Sequence, residues 1–307
     1  MNVAIFGATG FVGGYLVDAL LRAGHDVSVL VRQGSEEKLH AARQCRLTAG
    51  DLADKGAIRA TLDGCAAVIY NVGLLREFPS QGITFEEAHV AGVRRVAEVA
   101  QQVGVRRFLL MSANGVRPGG TPYQDTKYRA ERLIEEGGFD FTIFRPSVIF
   151  GDPRGTMEIA TQLYADLVKP PIPAAGFHTG WSPAKGPVLM SPVHVEDVAD
   201  AFVSALDDTA THGKTIVLGG PDELSWTDML QRVAAAAGRR KTILPVPIRF
   251  MKLGAAALDW LPFFPVTRDQ LSMLEEGNTA PPDDLERLIG RPARAFSTDS
   301  LGYLERR

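Results

Sequence analysis

A tyrosine and a lysine four positions apart, Tyr123 and Lys127, are the side chains best suited to chemistry in this sequence. Within a helix, residues at i and i+4 share one face, so the phenol and the ammonium group would be neighbours. An unperturbed phenol has a pKa of about 10 and transfers protons poorly at neutral pH, but a nearby cation favours its phenolate form. Ser112 ends an apolar run eleven residues before Tyr123 and could hold a substrate oxygen. Together the three side chains predict acid–base chemistry at a carbonyl or hydroxyl group.

The spacing Tyr-x-x-x-Lys is weak evidence by itself, because such a pair is usually part of an exposed helix surface. Its significance depends on the elements around it. The pair follows a predicted strand over residues 107–112 and opens a charged helix from Pro122 to about Glu136. If that strand belongs to a nucleotide-binding sheet, the pair lies at the edge where such sheets bind ligands.

The first elements of the chain predict such a sheet. Residues 2–6 are an apolar run of strand length, and residues 14–23 form a predicted amphipathic helix that ends at Gly24. Residues 26–31 are a second, β-branched run. This pattern is typical of a βαβ unit, in which a nucleotide pyrophosphate lies over the helix N-terminus at the first turn.

Three glycines in G-x-x-G-x-x-G spacing occupy that turn. Three glycines alone are a weak signal, but a strand before them and a helix after them favour a nucleotide site over a plain turn. The residues predicted to contact the cofactor here are Gly7, Thr9, Gly10, Phe11, Val12 and Gly13.

Arg32 ends the second strand, at the position that faces the adenosine ribose in doubly wound folds. An acidic residue there would accept a hydrogen bond from the 2′-hydroxyl of NAD, whereas an arginine would pair with the 2′-phosphate of NADP. The alternative is that Arg32 simply leaves the sheet for solvent. We therefore expect NADP(H) as the cofactor, with NAD(H) less favoured.

Further cofactor contacts are predicted at the ends of later strands, because the carboxyl ends of parallel strands share one edge of the sheet. Asp51 is placed to accept from the adenine amino group, although a role in a turn or an N-cap is equally plausible. Gly73 would let the backbone approach the cofactor closely. The residues predicted at these strand ends are Asp51, Leu52, Asn71, Val72 and Gly73, followed by Pro146, Ser147 and Val148.

Composition argues against several other classes of protein. The formal net charge is -3 and no cluster of lysine and arginine occurs, so nothing indicates a nucleic-acid partner. The two cysteines, Cys45 and Cys65, lack metal-ligand spacing, so we expect no metal site and no disulfide framework. No run of about 18 apolar residues is present, and we expect neither a membrane span nor a signal peptide. A cytoplasmic location is the expectation.

The order of elements predicts two domains. We expect a Rossmann domain over residues 1–151 and about 187–220, and a smaller split lobe over residues 152–186 and 221–307. Within the lobe, residues 243–265 mix prolines with an apolar helix over about 248–261. That segment could lie on a membrane surface or line an apolar substrate pocket, but such segments are more often the core of a helical lobe.

Several motifs occur in one order along nearly the whole chain: GATGFVG, GDL, Ser112 with YQDTK, RPSVIFG and PVHVEDVA. In this order they resemble the extended and atypical short-chain dehydrogenase/reductases. The segments NVGLLRE, AHVAGV and PVTRDQLSML are most similar, within that superfamily, to the 39 kDa subunit of respiratory complex I and its free-standing bacterial relatives.

The resemblance implies an α/β fold: a Rossmann doubly wound parallel sheet with helices on both faces and a smaller, split C-terminal substrate lobe. It also implies bound NAD(P)(H) and hydride chemistry at Ser112, Tyr123 and Lys127, with Ser112 and Lys127 touching the cofactor as well. Extended members usually carry an asparagine where this chain has His89, and the complex I-like group carries histidine there too. The complex I subunit holds NADPH without a known turnover, so an intact triad does not by itself imply catalysis.

Three functions are compatible with these features. The favoured one is an NADP(H)-dependent oxidoreductase acting on a carbonyl or alcohol. The second is a non-catalytic NADPH-binding accessory or assembly protein of a quinone-linked or membrane complex, in peripheral contact with the inner face of a membrane. The third is a nucleotide-sugar epimerase or dehydratase, against which Arg32 and the lack of a basic sugar-recognising patch count. The substrate is not determined, because the variable lobe selects it.

Overall fold

The computed structural model describes residues 1–74, 76–180, 186–249 and 268–306, which fall into two compact units. Unit 1 comprises Met1–Pro146, Val195–Val217 and Asp284–Arg291, and unit 2 comprises Ser147–His194, Leu218–Asp283 and Pro292–Arg307. The strands are β1 (Asn2–Phe6), β2 (Asp26–Val31), β3 (Cys45–Ala49), β4 (Ala67–Tyr70), β5 (Arg107–Met111), β6 (Asp140–Pro146), β7 (Ile149–Phe150), β8 (Ala174–His178), β9 (Leu189–Met190), β10 (Val193–His194), β11 (Lys214–Leu218), β12 (Leu224–Ser225) and β13 (Ile243–Pro247). The α-helices are α1 (Phe11–Arg22), α2 (Lys55–Leu62), α3 (Gly92–Val103), α4 (Pro122–Glu135), α5 (Ile159–Leu163), α6 (Val195–Asp207), α7 (Trp226–Ala236), α8 (Arg268–Glu276) and α9 (Asp283–Ile289).

Unit 1 is built on a seven-stranded sheet with the order β11-β6-β5-β4-β1-β2-β3. Each pair of neighbours from β3 to β6 is parallel. From β1 the strand order runs outward through β2 and β3 on one side and through β4, β5 and β6 on the other, so it reverses between β1 and β4. Doubly wound sheets bind ligands at this point, outside the carboxyl ends of the strands. Right-handed crossovers in the two directions place helices on both faces. The predicted Rossmann fold is confirmed.

Burial on both faces explains the unbroken apolar sequence of β1. Val3, Ala4 and Ile5 are fully buried, and Phe6 is 1% exposed. A parallel sheet covered on both sides requires apolar residues at successive positions, where a sheet with one open face would show alternation. Polar side chains enter directly after the strands, with Asn71 following β4, and this places them at the ligand-binding edge.

Unit 2 contains short pairings, with β7 parallel to β10, β8 parallel to β13, and β9 antiparallel to β12. Residues 187–194, which the sequence analysis assigned to the Rossmann domain, fall in this unit because β9 and β10 pair with β12 and β7. Residues 284–291, assigned there to the lobe, fall in unit 1, where Arg291 pairs with Asp197 and Asp200 of α6.

Part of one predicted segment is not described. Residues 243–247 form β13, whereas most of the apolar helix expected over about 248–261 lies in the range 250–267, outside the described residues. The membrane-surface hypothesis for that segment therefore stays a prediction.

A buried arginine joins α6 to the sheet of unit 1. Arg107 is 8% exposed, and its guanidinium donates to the carbonyl oxygens of Ala205 and Leu206 at the end of α6. It also donates to the carbonyl of Asp140 at 2.7 Å and to the Thr142 hydroxyl at 2.9 Å. A cation at the C-terminus of a helix satisfies carbonyls that the helix leaves unpaired. Burial lowers the pKa of Arg107 to about 10, so the side chain is charged at neutral pH.

We expect Arg107→Met to lower the free energy of unfolding by about 3–5 kcal/mol, because the substitution leaves several buried carbonyl groups without donors. The matched control is Arg106→Met, whose side chain is 74% exposed and pairs with Asp140 at 3.4 Å. That exposed pair contributes about 0–1 kcal/mol. Urea unfolding of both variants measures the difference, and equal losses would contradict the role given to Arg107.

Candidate functional site

Packing within the protein explains two of the three glycines in the first turn. Gly7 has a φ of +97°, and a Cβ atom there would lie 2.8 Å from the carbonyl oxygen of Asn71. A Cβ atom at Gly13 would lie 2.1 Å from the carbonyl oxygen of Gly7. At Gly10 the nearest atom would be 3.5 Å away, which is an ordinary van der Waals distance. The protein's own packing therefore does not require a glycine at position 10.

The N-terminus of α1 has the properties of an anion site. Its N-cap is Gly10, which has no side chain to accept from the first N–H groups, and no acidic residue occurs in the first turn. The N–H groups of Phe11 and Val12, after Thr9 and Gly10, lie at the positive end of a 12-residue helix. These features fit a nucleotide pyrophosphate.

Arg32 and Asp51 follow two adjacent strands, β2 and β3. The Arg32 side chain is exposed, and no residue in the described ranges forms an ion pair or a hydrogen bond with it. Oδ1 of Asp51 accepts a hydrogen bond from the N–H of Ala53 at 2.7 Å, so Asp51 stabilises a turn, which is one of the two roles expected for it. The N-cap of α2 is Asp54 instead. Leu52 packs, partly buried, against the core of unit 1.

The turn after β4 is bonded to the glycine turn and lies beside Lys127. The N–H of Asn71 donates to the carbonyl of Phe6 at 2.9 Å, and Nδ2 of Asn71 lies 3.4 Å from the carbonyl oxygen of Gly7. A Cβ atom at Gly73 would lie 3.5 Å from Nζ of Lys127. The structure thus brings predicted residues of the first turn, the β4 turn and α4 together.

Lys127 is buried at the ends of two strands. It is 4% exposed, and its ammonium donates to the carbonyl oxygens of Met111 at 3.0 Å and Val72 at 3.4 Å. An ammonium has three N–H donors, so these bonds leave one for a ligand. Burial lowers the pKa of Lys127 to about 8, while the nearby Glu131 carboxylate raises it. Lys127 is therefore mostly in its charged ammonium form at neutral pH.

Ser112 lies beside this lysine, directly after β5. It is 4% exposed, and its N–H donates to the carbonyl of Phe144 at 2.8 Å. Its hydroxyl is buried and has no hydrogen-bond partner among the described residues. The carbonyl of Pro146 accepts from the N–H of Asn114 at 2.9 Å, which keeps the end of β6 next to the end of β5.

Tyr123 occupies the first turn of α4, which begins with a capping box between Thr121 and Gln124. Its ring meets the rings of His89 and Phe85 edge-on, with centroids 5.4 and 5.7 Å away. Burial raises the pKa of Tyr123 to about 12. Desolvation of the phenol causes this rise, and its direction is opposite to the effect that a nearby cation would have.

His89 connects the turn after β4 with α4. Its Nε2 accepts from the N–H of Leu74 at 3.3 Å, which leaves the proton on Nδ1 to donate to the Thr126 hydroxyl at 3.0 Å. Burial and the charge of Lys127 lower the pKa of His89 to about 2, so the imidazole stays neutral. Because both ring nitrogens are occupied, His89 orients its neighbours and has no free position for proton transfer.

Sequence reasoning noticed His89 but missed these contacts. His89 lies in a π-helical segment over Glu86–Ala91, which precedes α3. Such segments are common at functional sites, and they rotate side chains away from the positions of a regular helix. The Tyr-x-x-x-Lys motif contains one residue of this network, because Thr126, the hydrogen-bond partner of His89, lies between Tyr123 and Lys127.

Two predicted cofactor residues belong to unit 2. The N–H of Ser147 donates to the carbonyl of Leu218 at 2.8 Å, and its hydroxyl donates to the carbonyl of Asn278 at 2.7 Å. The carbonyl of Val148 accepts from the N–H of Val193 at 2.9 Å. The Ser147 hydroxyl therefore already donates its proton to a hydrogen bond within unit 2.

A protein-family model described as NAD(P)H-binding matches residues 7–209, which is more than half of the chain. The matched range contains the glycine turn, Arg32 and the Ser112, Tyr123 and Lys127 cluster. The chain belongs to this NAD(P)H-binding family. Its membership establishes a nicotinamide nucleotide as the ligand class, and it does not distinguish NADP(H) from NAD(H).

Known relatives confirm the resemblance seen in the motifs. The 40 kDa subunit of mitochondrial NADH-ubiquinone oxidoreductase from Neurospora crassa is 27% identical over 276 residues, covering 86% of this chain and 68% of that protein. Ceramide reductase from Caulobacter vibrioides is 27% identical over 252 residues, covering 80% and 73% respectively. The structure of MoeE5 with UDP-glucose and NAD superposes with a TM-score of 0.72 at 19% identity, covering 100% of this chain and 98% of that one, and shows the same fold.

Neither a membrane-spanning helix nor a metal-binding cluster is present among the described residues. No helix in the described ranges combines the length and apolar character needed to cross a membrane. In the same ranges, no group of three or more histidine, cysteine, aspartate or glutamate side chains is arranged to hold a metal ion.

We expect Gly10→Ala to weaken nucleotide binding about tenfold or more, because a methyl group would stand where the backbone must approach the pyrophosphate. The same change should alter the free energy of unfolding by about 1 kcal/mol or less, since a Cβ atom fits there. Fluorescence titration with NADPH and NADH, together with urea unfolding, measures both quantities.

Two neighbouring glycines provide controls for this experiment. Gly13→Ala should lower the free energy of unfolding by about 2 kcal/mol or more, because its Cβ atom would collide with the Gly7 carbonyl. Gly14→Ala places a Cβ atom in open space and should lower neither the free energy of unfolding nor the affinity for nucleotide. If Gly10→Ala bound nucleotide as tightly as Gly14→Ala, the site at the N-terminus of α1 would be excluded.

Proposed function

We propose that this protein is an NADP(H)-dependent oxidoreductase that interconverts a carbonyl compound and its alcohol. The buried hydroxyl of Ser112, which lacks a partner among the described residues, carries the proposal. A buried polar atom left unpaired is costly unless a ligand supplies a partner. A substrate oxygen at this position would do so, and the strand end that carries Ser112 also holds Lys127.

The residues of unit 1 that would hold the cofactor follow the carboxyl ends of its parallel strands, where doubly wound sheets bind ligands. The pyrophosphate would lie on the first turn, and Arg32 would pair with the 2′-phosphate that distinguishes NADP from NAD. The remaining N–H of Lys127 is suited to the nicotinamide ribose. The further residues of unit 1 proposed to line the cofactor are Asp51, Leu52, Asn71, Val72, Gly73, Ser112 and Pro146.

The three side chains have separate roles in the proposed reaction. When bound, the nicotinamide supplies or accepts a hydride at its C4 atom. In reduction, the hydroxyl of Tyr123 gives a proton to the carbonyl oxygen of the substrate, and in oxidation the phenolate takes the proton back. Ser112 donates a hydrogen bond to the same oxygen. Because the pKa of Tyr123 is raised to about 12, the phenol is protonated at neutral pH, which is the form that reduction requires.

A second function is favoured by the relatives. The Neurospora crassa protein is a subunit of a ubiquinone-linked mitochondrial complex. By analogy, this chain would be an NADPH-loaded accessory protein in the cytoplasm, in peripheral contact with a membrane complex at its inner face. In that case the same nucleotide site would serve assembly or sensing, and Tyr123 would have no turnover to support.

We expect the protein to bind NADPH more tightly than NADH. Arg32→Ala should weaken NADPH binding about tenfold, the typical loss of one charge-assisted hydrogen bond to a phosphate, and should leave NADH binding unchanged. Fluorescence titration with both nucleotides measures this, and NADH serves as the internal control. An equal loss for the two nucleotides, or tighter binding of NADH by the parent protein, would contradict the role of Arg32.

We expect Tyr123→Phe to lower turnover of bound NADPH at least about 10²-fold, the usual contribution of a positioned acid, with NADPH affinity kept. Absorbance at the NADPH band, followed with a panel of aldehydes, ketones and quinones, measures the rate. Turnover by the variant at the parent rate would remove Tyr123 from the reaction. If the parent and the variant both bind NADPH and are equally inert, the accessory function is supported instead.

A further inference from the structure

Lys127 has a carboxylate one helical turn away that it does not contact. Glu131 follows at i+4 on α4 and is 1% exposed. Lysine and glutamate at this spacing on one helix face are within reach of each other. Nevertheless, no ion pair joins them in the described structure, where the Lys127 ammonium donates to the carbonyl oxygens of Met111 and Val72 at the ends of β5 and β4.

The carboxylate of Glu131 is occupied by an arginine from the sheet. Nε of Arg145, in β6, donates to Oε1 of Glu131 at 2.8 Å, and Nη2 donates to Oε2. This is a bidentate pair, the strongest arrangement that an arginine and a carboxylate form. Both oxygens of the buried carboxylate therefore have a cationic donor, and the Arg145 side chain is itself only 26% exposed.

Removing the arginine would change which cation Glu131 attracts. A buried carboxylate that loses its partner is strongly destabilised, and it regains stability from any cation within reach. Lys127 is the cation one turn away on the same face. A pair between Lys127 and Glu131 would withdraw the ammonium from the carbonyls of Val72 and Met111.

We propose that Arg145 is a positioning residue: by occupying the Glu131 carboxylate, it keeps the Lys127 ammonium directed at the strand ends, where the ammonium meets the bound nucleotide. This inference rests on the proposed function, in which Lys127 holds the nicotinamide ribose. The Arg145–Glu131 pair then does more than join α4 to β6, because the arginine charge prevents the Glu131 carboxylate from attracting Lys127.

The test compares Arg145→Met with the double variant Arg145→Met/Glu131→Gln. The probe is whichever of NADPH and NADH the parent binds more tightly, titrated by fluorescence. Arg145→Met should weaken binding about tenfold or more, because Glu131 then attracts Lys127. The double variant should bind within about threefold of the parent, because the neutral glutamine no longer competes for the ammonium.

Two additional variants complete the design. Arg145→Lys keeps a cation beside Glu131, so it should bind within about threefold of the parent and provides a folded test if Arg145→Met does not fold. Arg132→Met removes an arginine that pairs with Glu135 and Glu136 on the exposed face of α4, and it should bind as the parent does. Circular dichroism and thermal unfolding report the folding of each protein.

The outcomes separate this inference from the proposed function. A parent protein that binds neither nucleotide would contradict the proposed function itself. If the parent binds, three results overturn the inference: parent-like affinity in Arg145→Met, a folded double variant as weak as Arg145→Met, or the same tenfold loss in Arg145→Lys. Recovery in the double variant supports it, because a purely structural contact would not be restored by removing its second partner.

Discussion

The burial of a charged lysine at the ends of two parallel strands constrains the whole of unit 1. An ammonium group taken out of water loses hydration worth several kcal/mol. The protein has to offset this loss by stabilising the buried charge with fixed dipoles and nearby charges. The carbonyls of Val72 and Met111 and the charge of Glu131 do this for Lys127, whose pKa is lowered to about 8 and no further. These partners come from the turn after β4, from β5 and from α4, so the arrangement forms only when the sheet and that helix are correctly packed.

The same arrangement explains how a buried, polar site is tolerated inside an apolar core. The central strands β1 and β4 are almost wholly apolar and buried. Polar residues such as Asn71 and Ser112 follow directly after strands, so these polar groups meet at one edge of the sheet. Arg145 satisfies Glu131, and His89 satisfies Leu74 and Thr126. The hydroxyl of Ser112 is the exception among the described residues. An unpaired hydroxyl in an otherwise satisfied network is consistent with the substrate contact proposed for Ser112.

Much of the fold and part of the site could be predicted from local patterns. Strand-length apolar runs, a glycine turn and a helix stop predict a βαβ unit, because each depends on residues close together in sequence. Glycine at positions 7 and 13 follows from the same unit. The spacing of Tyr123 and Lys127 was also sufficient to place both on one helix. By contrast, the local sequence pattern did not indicate the π-helical segment that carries His89.

By itself, the sequence determined the order of the elements, and from residue type and spacing it predicted the nucleotide turn and the three side chains proposed to carry the chemistry. Those properties depend on periodicity and on residue type, which are local. Only the tertiary structure decided which of these groups are satisfied and which are available. Burial raises the pKa of Tyr123 to about 12, and this desolvation depends on atoms far away in sequence. Likewise, the occupation of Glu131 by Arg145 requires β6 to pack beside α4, and no spacing along the chain records that contact.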